Sequence, residues 1–114
     1  MSVNQHNYIL IGVKLDPKVV TDEIYESEEF EMLNWASQHR AGKLAYLYDG
    51  MNGDYFIVGV PICVDHHCYN GFPVYEHDPD NLAHEVVADK VKEHVKDKFN
   101  QEVEPKLIVM THFV

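Results

Sequence analysis

Residues 43–64 read KLAYLYDGMNGDYFIVGVPICV. The segment divides into KLAYLY, DGMNGD and YFIVGVPICV, two strand-like runs joined by a turn. Asp49-Gly50 and Asn52-Gly53 are turn dipeptides, since Gly and Asn tolerate positive φ. The flanking residues are β-branched and aromatic, which suits a pleated surface. An antiparallel hairpin over 43–64 is therefore expected, with Phe56, Val58, Val60, Ile62 and Val64 on one face. Pro61 interrupts it, because proline has no N–H to give to a central ladder. Either pairing ends near Val60 or a bulge sits there.

Before the hairpin, residues 8–15 (YILIGVKL) alternate Ile9, Ile11, Val13 and Leu15 against Tyr8, Leu10, Gly12 and Lys14, the pattern of a strand. Asp16-Pro17 suits a short helical turn through Val20. Ser27 offers an N-cap for a helix over 28–38, on which Tyr25, Met32, Leu33 and Ala36 share an arc with Phe30 at its edge. Gly42 suits the exit from it. After the hairpin, residues 65–81 (DHHCYNGFPVYEHDPDN) read mostly as loop. Asp80 or Asn81 caps a helix running to about residue 99, with His84, Val87, Ala88, Val91 and Val95 at helical spacing. Pro105 then punctuates, and KLIVMTHF (106–113) closes the chain as a strand.

The element order is β-α-β-β-α-β. It resembles the ferredoxin-like, split βαβ arrangement, an α+β two-layer sandwich with two helices on one face of an antiparallel sheet. That resemblance is one of element order and implies no function. It leaves a second sheet face of Tyr8, Leu10, Ile57, Ile108 and Met110, too apolar to stand in water as one patch. The 65–81 loop, a ligand or a second subunit should cover it. A homodimer is the first choice, as the commonest oligomer.

The chain has 114 residues, which suits one domain able to bury a core without staples. Its composition, 46% hydrophobic and 25% charged, is that of a globular protein. The N-terminus MSVNQHNYIL shows no signal peptide, and no apolar run is long enough to span a bilayer. Cys63 and Cys68 make no disulfide framework, so they are expected as thiols in a cytoplasm. The net charge of −10 argues against direct nucleic-acid binding and favours basic partners.

Two constellations could carry function. The first is Cys63, His66, His67 and Cys68, followed by His77 and His84. Thiolate and imidazole are the ligands zinc prefers, and a tetrahedral site needs four. The spacing is not a recognised zinc signature, and the plain alternative is a core thiol beside a histidine-coated loop. His84 falls at the first turn of its helix, where the dipole disfavours the protonated ring. The phosphate-cradling and hydrolase motifs GxGxxG, GxxxxGK and GxSxG are absent. The carboxylate-rich turn 49–54 lacks the ligand count of a calcium loop.

The second constellation is acidic. Asp22, Glu23, Glu26, Glu28, Glu29 and Glu31 lie together with no Lys or Arg among them, and residues 44–89 hold no Lys or Arg at all. Trp35 follows Glu31 by four residues and Glu28 by seven, which sets an aromatic anchor at an acidic edge. A solubilising surface is the plain reading. The functional one makes Asp22, Glu23, Glu28, Glu31 and Trp35 a docking face for a basic protein. In type, a small acidic chain without a catalytic motif resembles the accessory proteins that bacteriophages use against host enzymes, including mimics of nucleic acid. On that resemblance the carboxylates stand in for phosphates, and the host cytoplasm is the compartment. The sequence thus favours a binding protein over an enzyme. The alternatives are a metal-binding module or small metal-dependent enzyme at 63–84, with zinc as the cofactor, and a small-ligand-binding homodimer.

Overall fold

The computed structural model describes residues 5–66, 72, 74, 76 and 82–114. Four strands form: β1 Gln5–Leu15, β2 Ala45–Tyr48, β3 Phe56–His66 and β4 Lys106–Phe113. They make one antiparallel sheet in the order β2-β3-β1-β4. The hairpin of residues 43–64 forms as expected, and Asp49 ties its turn. One carboxylate oxygen accepts from the amides of Met51 and Asn52, and the other accepts from that of Asp54. Burial opposes ionisation of this carboxyl, but the amides of Asn52, Asp54 and Met51 together hold it below the usual carboxylate range.

The ferredoxin-like sandwich with two covering helices is corrected. The described residues hold three α-helices, α1 Asp22–Tyr25, α2 Glu28–Asn34 and α3 Leu82–Phe99, and only α3 is long. The single helix expected over 28–38 stops at Asn34. Trp35 is extended (φ −75°, ψ 98°), and Ala36–Gln38 is a separate 3₁₀ turn. Two side chains explain the break-up. Ser27 Oγ donates to the Ile24 carbonyl that closes α1 and accepts from the Phe30 amide that opens α2. His39 Nε2 donates to the Leu33 carbonyl, taking one of the acceptors that a longer helix would have used.

Pro61 decides the register. β2 pairs with β3 only over residues 56–59. The Pro61 carbonyl accepts from Gly42 N at 2.9 Å. The missing N–H therefore falls where β2 has already ended. On the other side of β3, Leu10 pairs with Pro61 and Ile9 with Cys63, so Ile62 is the extra residue of a bulge. The bulge reverses the parity of the strand. Val64 joins Tyr8 on the second face instead of continuing the Phe56–Val60 face, and His66 follows it.

The helix-covered face packs Val13, Leu15, Tyr46, Phe56, Val58 and Val60 against Phe30 of α2 and Val91 and Val95 of α3. Phe30 is the residue α2 buries, while Tyr25 and Met32, expected on the inner arc, are exposed. The second face collects Tyr8, Leu10, Ala45, Leu47 and Ile57, with Val64, Ile108 and Met110 at its margin. Tyr8, Leu10, Ala45 and Leu47 are fully buried within the single chain, so no second subunit is needed to cover them. Gly12 faces Gly59 across β1 and β3. A Cβ on Gly12 would come within 2.4 Å of the Val58 carbonyl oxygen, and one on Gly59 within 2.5 Å of Leu10 Cδ1, so the glycine pair gives Leu10 its bed. Among the described residues no helix is long and apolar enough to cross a membrane.

Candidate functional site

The acidic segment forms an exposed edge made by α1 and α2. Asp22 and Glu23 stand in the first turn of α1; Glu28, Glu29 and Glu31 stand in that of α2, where the helix dipole favours negative charge. Glu29 pairs with Lys98 at 3.1 Å and ties α2 to α3. The other ion pairs among the described residues join Lys92 to Glu104 and Lys96 to Glu102. None of Asp22, Glu23, Glu26, Glu28 or Glu31 takes part in them. Beside these carboxylates stand three large apolar side chains in water: Tyr25 at 53% exposure, Met32 at 65% and Trp35 at 60%. Between the carboxylates and the rings runs a cleft of about 520 Å³ lined by Tyr25, Glu26, Phe30, Glu31, Asn34 and Trp35. The structure thus brings Glu31 and Trp35 to one cleft, with Glu26 on its rim.

The sequence-derived metal set is divided. Cys63 pairs with Ile9, one residue out of phase with His66, so the two project to opposite faces of the sheet. His84 lies on α3, half-buried. His67, Cys68 and His77 lie outside the described residues. Among the described residues no group of three or more His, Cys, Asp and Glu side chains is placed to hold a metal ion as the side chains stand.

The second face ends instead in a buried histidine and tyrosine cluster that the loop motif did not reveal. The strand register sets His6 against His66 on one side and His112 on the other. His6 Nδ1 and His66 Nδ1 are 2.8 Å apart. His66 Nε2 lies 3.0 Å from the His39 carbonyl, which can only accept, so this nitrogen carries the hydrogen. His39 Nε2 donates to Leu33 O at 2.7 Å by the same logic, and its Nδ1 accepts from the Tyr8 hydroxyl at 2.6 Å. Burial, with the neighbouring His66, His6 and Arg40, lowers the His39 pKa against the pull of the Leu33 bond. Tyr55 Oη and His112 Nδ1 are 2.6 Å apart. Burial first, then the proximity of His39 and His6, pushes His112 down to about 4 despite Asp49. Burial also raises Tyr8, and it raises Tyr55 to about 12 with help from Asp49. Burial thus favours the neutral ring at His39 and His112, and the Leu33 and His39 carbonyls fix the tautomers of His39 and His66. The signal for the cluster was strand parity. His6 precedes Tyr8 by two residues and His112 follows Met110 by two, on the face that sequence alternation had already marked.

Comparison with protein-family models, with curated proteins and with solved structures finds no match for this chain.

Proposed function

We propose that this chain is a binding protein whose α1–α2 edge docks a basic partner, with an Arg or Lys side chain entering the cleft beside Trp35. One observation carries the reading: Tyr25 and Trp35 are exposed on one cleft with Glu26 and Glu31, carboxylates that no described cation neutralises. Exposed aromatic rings next to charge of one sign give a cation both halves of a site. The rings take the apolar stem and the face of a guanidinium, and Glu26 and Glu31 take its charge. Arg fits better than Lys, because its planar group stacks on a ring and hydrogen-bonds a carboxylate at once. Asp22, Glu23 and Glu28 surround the cleft and supply attraction at longer range. A nucleic-acid-binding protein is one basic partner of this kind.

Trp35 is the only tryptophan, so its emission reports the cleft directly. Titration with an arginine-rich peptide should change that emission saturably, and a lysine-rich peptide of equal length should do so more weakly. Glu26→Gln with Glu31→Gln should weaken the response by about tenfold or more, the loss of one to two charge-assisted contacts. Emission that ignores both peptides at low salt would sink the proposal.

A further inference from the structure

Residues 35–41 form a bridge pinned at both ends. Asn34 Oδ1 accepts from Tyr48 N at 3.1 Å, and Gly42 N donates to the Pro61 carbonyl. Between those pins, among the described residues, both hydrogen bonds from the bridge to the sheet are made by His39. Its Nδ1 accepts from the Tyr8 hydroxyl of β1 at 2.6 Å, and its carbonyl accepts from His66 Nε2 of β3 at 3.0 Å. Its Nε2 donates to Leu33 O across the turn in which Trp35 is extended. The whole residue is 5% exposed. The ring holds this geometry only while neutral, because a proton on Nδ1 would set an N–H against the Tyr8 O–H. The charge would also face Tyr8 and His6 of β1, His66 of β3, His112 of β4 and Arg40 of its own segment. None of these is an anion, since burial keeps the proton on Tyr8. Burial works hardest against a charged His39, and the Leu33 carbonyl favours one.

We propose that His39 is an acid-released latch for the cleft beside Trp35, its neutral ring holding residues 35–39 on Tyr8 and its protonated ring letting them go. The proposal rests on that cleft being the docking site. Once charged, the imidazolium gives up Tyr8 and turns to water, while its Nε2 keeps the Leu33 carbonyl, a bond that the charge strengthens. Asn34 stays on β2, so the bridge turns about it and carries Trp35 away from Tyr25 and Glu31 across the cleft. The sign follows from the protons. The released state binds one more proton than the latched state, so falling pH favours release. By reciprocity, a cationic partner seated in the cleft favours the latched form and lowers the pH at which it opens.

The test uses the full chain, with its histidines labelled for NMR. On acidification His39 should titrate below the ordinary histidine value of about 6.5. Trp35 emission should change with the same midpoint while far-UV circular dichroism stays native. Tyr8→Phe keeps the buried ring but removes the donor that favours neutral His39, so both midpoints should move up together. His39→Gln should abolish the emission transition. Affinity for the arginine-rich peptide should fall by about tenfold one pH unit below the midpoint, the effect of one linked proton. That step should vanish in His39→Gln, which keeps every carboxylate of the cleft. Should His39→Gln not fold, the Tyr8→Phe shift decides. The latch is overturned by an emission transition that persists in His39→Gln, ignores Tyr8→Phe or coincides with loss of circular dichroism. It is overturned equally if His39 titrates while emission stays flat, or if peptide affinity ignores the emission transition. Failure of the peptide to bind near neutral pH refutes the docking reading instead, and the NMR and emission midpoints still decide the latch.

Discussion

At the residue scale, burying an imidazole beside a tyrosine makes its charge state a folding variable. His94 Nε2 meets the Tyr46 hydroxyl between α3 and β2. Burial raises the Tyr46 pKa, so the hydroxyl keeps its proton and donates it, and the His94 nitrogen must be the acceptor. Burial lowers the His94 pKa and Lys98 adds to this, while Glu29 and Asp97 only partly oppose it. The folded state therefore resists protonation that the unfolded chain accepts below about pH 6.5. Below that value the unfolded state binds more protons, so stability falls as pH falls. Denaturant midpoints of the wild type should drop more steeply between about pH 6.5 and 5 than those of His94→Gln. Parallel slopes for the two proteins would refute this account. Tyr46–His94 was not legible in the sequence, because the partners lie 48 positions apart and meet only when α3 docks on the sheet. Pro61 was legible as an obstacle, yet not as the cause of a bulge that carries His66 to the histidine face.

At the scale of elements, β4 is the exposed edge of the sheet. Among the described residues it pairs with β1 alone, and Leu107, Val109 and Phe113 stand on one side of it in water, Val109 at 66% exposure. Native edges are usually blunted by charge or proline, and here only Pro105 and Lys106, at one end, do so. Antiparallel pairing of β4 with its own copy, centred on Met110, sets Leu107 opposite Phe113 and Val109 opposite Thr111. Aromatic–aliphatic pairs of that kind favour association. The homodimer expected from the sequence should form along this edge rather than over the second face, which one chain already buries. Sedimentation should show a concentration-dependent dimer that Val109→Lys abolishes without unfolding the monomer, since the residue is exposed. A monomer at every concentration would remove the dimer from consideration. The strands and α3 were legible because their apolar period is long and regular. The acidic helix was not, because its wheel assumed continuity through Trp35. Ser27 and His39, which divide the segment, act through hydrogen bonds that periodicity does not encode.

At the scale of the molecule, the net charge of −10 is unevenly compensated. The lysines of α3 take Glu29, Glu102 and Glu104 and leave the carboxylates around Trp35 facing solvent. The sequence showed this imbalance directly. The pocket it surrounds came from the short helices and could not be read from composition. A field of one sign around an aromatic anchor divides the work of binding. The carboxylates act before contact, by raising the rate of encounter, and salt screens them beyond about 10 Å at moderate ionic strength. The ring acts after contact, once it is desolvated, and so governs departure. Glu28→Lys with Glu31→Lys should therefore slow association with an immobilised arginine-rich peptide by about tenfold at low salt and much less at high salt. Trp35→Ala should leave association nearly unchanged and speed dissociation by about tenfold or more. All three positions are exposed, so stability should move little in either variant. Surface plasmon resonance at two ionic strengths separates the two effects. If the charge reversal changed only dissociation, or if salt left the wild-type association rate untouched, the carboxylates would be solubilising surface and the anchor alone would remain.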